Sequence, residues 1–187
     1  MKNLLIILVF INTINLYSDY ISLETFTLTF HLSENSVTNG HEYPRRLDDK
    51  GWVIFMPGIE AGYEYSVNNH FLGIKGYKFM LGLYSDSRAQ QSGYLQFGPR
   101  WIIKLTNKID INIGIGPLLF FRDSWKKFKN YNGNAFLKEK YDYEYIIFIY
   151  GDIDIRYKIN EQTMIIWGVI PVIPYSVANT IGFSYQW

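Results

Sequence analysis

Three polar groups in this chain carry the side chains that acyl-transfer chemistry needs. His31 offers an imidazole, Asp86-Ser87 a carboxylate beside a hydroxyl, and Arg122-Asp123-Ser124-Trp125 a second pair of the same kind. A base, an acid that orients it and a hydroxyl that attacks or donates are the minimal parts of such a reaction. The same Asp-Ser pairs are also ordinary turn formers, because their short side chains bond nearby backbone. With no cysteine, the chain has neither thiolate chemistry nor a disulfide framework. No metal or dissociable cofactor is expected.

Whether these groups meet depends on the elements that carry them. Eight segments have strand character: residues 20–32, 52–67, 71–84, 93–105, 109–121, 143–157, 163–171 and 178–187. Each is about long enough to cross a bilayer as a tilted strand, which takes roughly 9–11 residues. Between them the second, fourth and sixth connections are tight (68–70, 106–108 and 158–162). The first, third, fifth and seventh are longer or looser (33–51, 85–92, 122–142 and 172–177). Short turns alternating with longer loops fit an even-stranded outer-membrane barrel with both ends on the periplasmic side. No apolar run suits a spanning helix, so a membrane protein of this profile must be a barrel. The 16 Tyr, 13 Phe and 5 Trp suit aromatic girdles at two membrane interfaces.

The first eighteen residues read as an export signal, with Lys2 as the charged start, Leu4 to Ile11 as the apolar run and Ser18 as a small residue before the cut. The expected organisation is therefore a signal peptide over 1–18 and an all-β, eight-stranded antiparallel transmembrane barrel over 19–187, in the bacterial outer membrane and monomeric. A net charge of +1 leaves no electrostatic footprint for nucleic acid.

Alternation along a strand assigns faces. In the second segment Trp52, Ile54, Met56, Gly58, Glu60, Gly62 and Glu64 point inward. In the fifth, Asp110, Asn112, Gly114, Gly116, Leu118 and Phe120 do so, and in the sixth, Glu144, Ile146, Phe148, Tyr150, Asp152, Asp154 and Arg156. The lumen is thus charged toward the periplasm (Glu60, Glu64, Asp110, Asp152, Asp154 and Arg156, with Arg100 as partner). Toward the outside it is apolar (Trp52, Ile54, Met56, Leu118, Phe120, Ile146 and Phe148). Eight strands leave room for side chains or one slender ligand, so the apolar half is either an acyl pocket or ordinary packing. His31 shares the parity of Thr25, Thr27 and Thr29, assigned inward.

From His31 onward the chain resembles the lipid A palmitoyltransferases of the PagP family, which are eight-stranded outer-membrane barrels. Thr29-Phe30-His31 is similar to the end of that family's first strand, and Tyr84-Ser85-Asp86-Ser87 to its Asp-Ser pair. Gly98, within Gln96-Phe97-Gly98-Pro99-Arg100-Trp101, stands where the family has a lumen glycine. Gly114-Ile115-Gly116 with Arg122-Asp123-Ser124-Trp125 is similar to the next hairpin, and Ile170-Pro171 and Gly182-Phe183-Ser184-Tyr185-Gln186-Trp187 to the last two strands. The chain departs from the family in having no room before Tyr20 for an amphipathic helix. It has Arg88-Ala89 after Ser87, and no proline-rich third loop. Arg122-Asp123-Ser124-Trp125 matches the Asp-Ser motif better as text, one hairpin late.

The resemblance implies an acyltransferase moving a palmitoyl chain from a phospholipid to lipid A of lipopolysaccharide. His31 would be general base, Asp86 its support, Ser87 the hydroxyl partner and Gly98 the floor of an acyl pocket. Pro57 and Pro171, which cannot donate to a ladder, are then side entrances for lipid or simple bulges. The alternatives are a lipid A deacylase, echoed by His31-Leu32-Ser33, and a non-enzymatic small barrel of adhesin or membrane-stabilising type. Lys126, Lys127, Lys129, Lys138 and Lys140 of the third outer loop would meet lipopolysaccharide phosphates or simply be solvated.

Overall fold

A computed structural model describes residues 19–31, 53–67, 71–86, 89–124, 138–140, 142–172 and 176–187. The signal-peptide reading, Trp52 and Ser87 lie outside the described residues. So does the side chain of His31. The strands are β1 (Tyr20–His31), β2 (Val53–Ser66), β3 (Gly76–Ser85), β4 (Gln91–Lys104), β5 (Ile109–Asp123), β6 (Lys138–Lys140), β7 (Tyr143–Lys158), β8 (Thr163–Val172) and β9 (Ser176–Gln186). Eight of them close a single antiparallel barrel in the order β1-β2-β3-β4-β5-β7-β8-β9, with β9 returning to β1. Short β6 lies outside this ring, paired with the outer end of β7.

Closure is what lets this sequence live in lipid, since a barrel pairs its strands with no free edge. Its outer surface is apolar along every strand: Leu23, Ile59, Phe79, Leu81, Ile115, Ile153, Trp167, Ile181 and Phe183 are all exposed. At the end carrying Asp19 and Trp187, rings stack on this surface. Tyr63 lies over Trp187 at 6.2 Å, Tyr65 over Tyr77 at 5.4 Å and Tyr77 over Phe97 at 5.8 Å. These form part of an interfacial girdle. The turns at this end, 105–108 and 159–162, are short, which marks it as periplasmic. The chain is thus a closed, eight-stranded antiparallel β-barrel with the apolar outer face that a membrane-spanning barrel requires.

The inward sets assigned by alternation in β2, β5 and β7 hold, but β1 differs. Glu24 and Thr29 are both buried in the lumen although they lie an odd number of positions apart, and Thr25 is exposed on the outside. Register shifts against β2 and β9 after Phe26 explain it. A bulge changes the parity of everything beyond it, so Thr25 does not share the face of Thr29.

Two connections also differ from expectation. The third segment begins as strand only at Gly76. Phe71–Gly73 form a one-turn 3-10 helix, with Leu72 (φ 55°) and Gly73 (φ 73°) left-handed. The Leu72 carbonyl accepts a hydrogen bond from Trp101 Nε1 (3.0 Å). The third connection, only 86–90, is compact rather than loose.

Candidate functional site

The periplasmic half of the lumen is an ionic network. Lys78, only 1% exposed, lies 3.2 Å from Asp154, 3.6 Å from Glu24 and 3.8 Å from Glu60. Arg156 binds Glu64 (2.6 Å) and Asp154 (3.1 Å), and Arg100 binds Asp152. Neutral donors complete it: Thr180 donates to Glu24 (2.6 Å), Asn112 to Glu64 (3.0 Å), Gln96 to Asp152 (3.1 Å) and Tyr94 to Glu60. Small residues make room for the long side chains. A Cβ on Gly114 would strike the Arg100 guanidinium, and one on Gly62 would strike Ser22 and Lys78. Buried charge is stable only when paired and hydrogen-bonded, and here each carboxylate has at least one such partner.

This layer contains the charged residues expected inside, with Arg100 as the partner of Asp152. Glu24 and Lys78 are additions that the sequence reading missed. Glu24 was hidden by the bulge. Lys78 was findable, since Gly76, Lys78, Met80 and Gly82 alternate cleanly with Tyr77, Phe79, Leu81 and Leu83.

Above the network, Met80, Tyr94, Leu118, Tyr150, Ile170 and Ala178 form a packed apolar layer, with Tyr84 and Phe120 against it. Of the expected acyl-pocket residues, Leu118 is buried in this packing and Ile54 is fully buried in the wall of β2. Met56, Phe120 and Ile146 are half-buried, and Phe148, on the inward face, is 36% exposed. The outer rim turns polar again, where Arg122 pairs with Glu144 at 2.6 Å. On the β8 side of β7 the ladder ends at Ile153↔Val169. Among the described residues no strand faces that edge over 146–152.

Gly98 is buried between the inward-facing Gln96 and Arg100. A Cβ there would run into the Ile115 carbonyl and Gly116 Cα of β5, and one on Gly116 would meet Phe97 and Gly98. The two glycines let the β4 and β5 backbones press together between the pairs Gln96↔Leu118 and Arg100↔Gly114.

At the rim, His31 ends β1 opposite Ser176 of β9, and Asp86 follows β3, one strand removed across β2. The Asp86 carboxylate works within its own turn: Oδ1 accepts from Gln90 N (2.9 Å) and Oδ2 from Ser92 Oγ (3.3 Å). Its backbone N–H donates to the Gln90 carbonyl (2.8 Å), and Ala89 is left-handed (φ 58°). In the rival Asp123-Ser124 pair, Ser124 donates its backbone N–H to Asp142 O (2.7 Å), and its Oγ lies 3.5 Å from Glu144. Asp86 and the Asp123-Ser124 pair thus sit on the outer rim and take part in turn or hairpin geometry. Among the described residues no group of acids and histidines has the arrangement of a metal site.

No family model matches the chain, that of the palmitoyltransferases included, and no curated protein matches it. Among solved structures it is similar to the N-terminal β-barrel domain of Pseudomonas aeruginosa OprF, at 8% identity and a TM-score of 0.47, covering 90% of this chain and 97% of that one. It is also similar to Ail, the attachment invasion locus protein of Yersinia pestis, at 11% identity and a TM-score of 0.47, covering 91% and 97%.

Proposed function

We propose that this protein is a non-catalytic outer-membrane barrel, a filled and rigid scaffold that presents its long outer segments for binding. The observation that carries this reading is the filled lumen, with an ionic layer below and a packed layer above. The Asp86 carboxylate also accepts turn-type hydrogen bonds from Gln90 N and Ser92 Oγ. The lysine-rich stretch 126–140 is the binding element this reading favours, with lipopolysaccharide phosphates as its partners. Mass spectrometry of lipid A from cells with and without the protein should give identical spectra, and replacing the five lysines by Gln should raise uptake of a hydrophobic dye. Gain of an acyl group in the first experiment would overturn the proposal.

One observation favours the second reading, a lipid A acyltransferase. Met56, Phe120, Ile146 and Phe148 are apolar, face inward and stay partly exposed near the outer mouth, as the walls of a short acyl slot would be. On that reading His31→Ala abolishes the added acyl chain seen in the same spectra. Loss of an acyl chain on expression would instead indicate a deacylase.

A further inference from the structure

We propose that the periplasmic mouth of the barrel holds a binding site for a phosphate group, built on the β4–β5 turn. A cavity of about 320 Å³ opens there, lined by Lys104, Leu105, Thr106, Asn107 and Lys158. That volume lies at the lower end of small-ligand sites.

The charges explain why an anion completes it. Lys104 pairs across the ladder with Asp110, and the Lys158 ammonium lies 2.8 Å from the Asp110 carboxylate. Lys158 is thus balanced by a buried acid, while the exposed Lys104 lines the same cavity. Lys108 is exposed on the same turn, and exposed Glu161 on the β7–β8 turn is the other acid at this end of β7.

The donors suit phosphate. Thr106 Oγ1 already accepts from the backbone N–H groups of Lys108 (3.1 Å) and Ile109 (3.0 Å), which leaves its hydroxyl hydrogen to donate. Asn107 adds amide donors, and the lysines add charge-assisted ones. Exposed Ile103, Leu105, Tyr157 and Ile159 border the turns, which sets the site at membrane-headgroup depth. The phosphate comes either from an inner-leaflet phospholipid or from free inorganic phosphate, and basic pockets at such depth bind anionic headgroups.

The test uses the protein refolded in a maltoside detergent, which contains no phosphorus. Inorganic phosphate, and separately phosphatidylglycerol mixed into the micelles, are titrated while the backbone amides of Thr106, Asn107 and Lys158 are followed by NMR. Saturable shifts confined to these turns are expected. Lys104→Gln should weaken them roughly two- to fivefold, and Lys108→Gln, which does not line the cavity, should change them less. A response to phosphatidylglycerol names the lipid as the source, and a response to phosphate alone names the free ion. Absence of saturable shifts with both, or shifts unchanged by Lys104→Gln, overturns the proposal. Lys158→Gln is not used, because Lys158 is also the ion-pair partner of Asp110 and its loss would change two contacts at once.

Discussion

Replacing Lys78 by Met tests whether the ionic layer is a cooperative unit. The ammonium is fully buried and lies within 3.2–3.8 Å of Asp154, Glu24 and Glu60. Removing one partner of a buried pair costs about 3–5 kcal/mol, because the charge left behind is uncompensated. Here the remaining acids keep other partners: Asp154 keeps Arg156 (3.1 Å), Glu24 keeps Thr180 (2.6 Å) and Glu60 keeps Tyr94. That places the expected loss near the lower end, at about 3 kcal/mol. The internal control is Lys158→Met. Its ion pair with Asp110 has the same chemistry, but the side chain is 31% exposed, so the expected cost is only about 0–1 kcal/mol. Equilibrium urea unfolding in phospholipid vesicles, followed by tryptophan fluorescence, measures both. Adding Glu60→Gln to Lys78→Met should recover part of the loss, since a Gln carbonyl still accepts from Tyr94 while one negative charge disappears. Equal costs for the two lysines, or no recovery in the double variant, would refute the reasoning.

The other expectations follow from the same geometry. Gly98→Ala should lower folding yield in vesicles or cost roughly 1–3 kcal/mol, because its Cβ meets β5 backbone that cannot move aside; an intact barrel with altered lipid A acyl length would contradict this. Leu81→Arg, on the lipid face near mid-strand, should cost about 2–4 kcal/mol in the same unfolding assay, and an unaltered midpoint would move that face out of lipid. Asp86→Ala should cost about 1 kcal/mol through its lost turn bonds, and under the proposed function should leave lipid A spectra unchanged.

The limits of sequence reading here are set by parity and by space. Period-two alternation placed Glu60, Glu64, Asp110, Asp152, Asp154 and Arg156 correctly because β2, β5 and β7 carry their inward pattern through the bilayer without a change of phase. A bulge inserts one step, and nothing in Phe26-Thr27-Leu28 announces it, since all three are good strand residues on either face. Thr25 was therefore turned inward and Glu24 outward. Glycine is ambiguous for a different reason. An inward glycine is compatible with an empty pocket, with a neighbour's long side chain or with a second backbone, and one strand's sequence cannot tell these apart. At Gly114 the occupant is Arg100, and at Gly98 it is β5 itself.

The charge count held a clue that alternation alone did not use. Five inward carboxylates against Arg100 and Arg156 form an arrangement that the interior of a barrel cannot hold without another cation. β3 has only one basic residue on its inward face, and that is Lys78. An inward excess of carboxylates thus points to a basic residue that strand-by-strand reading passes over, although Glu24 brings a further acid to the same layer. The same demand for balance recurs at the periplasmic mouth with its sign reversed. There Lys104 and Lys158 line one cavity and Asp110 pairs with Lys158, and the proposed phosphate would supply the further negative charge.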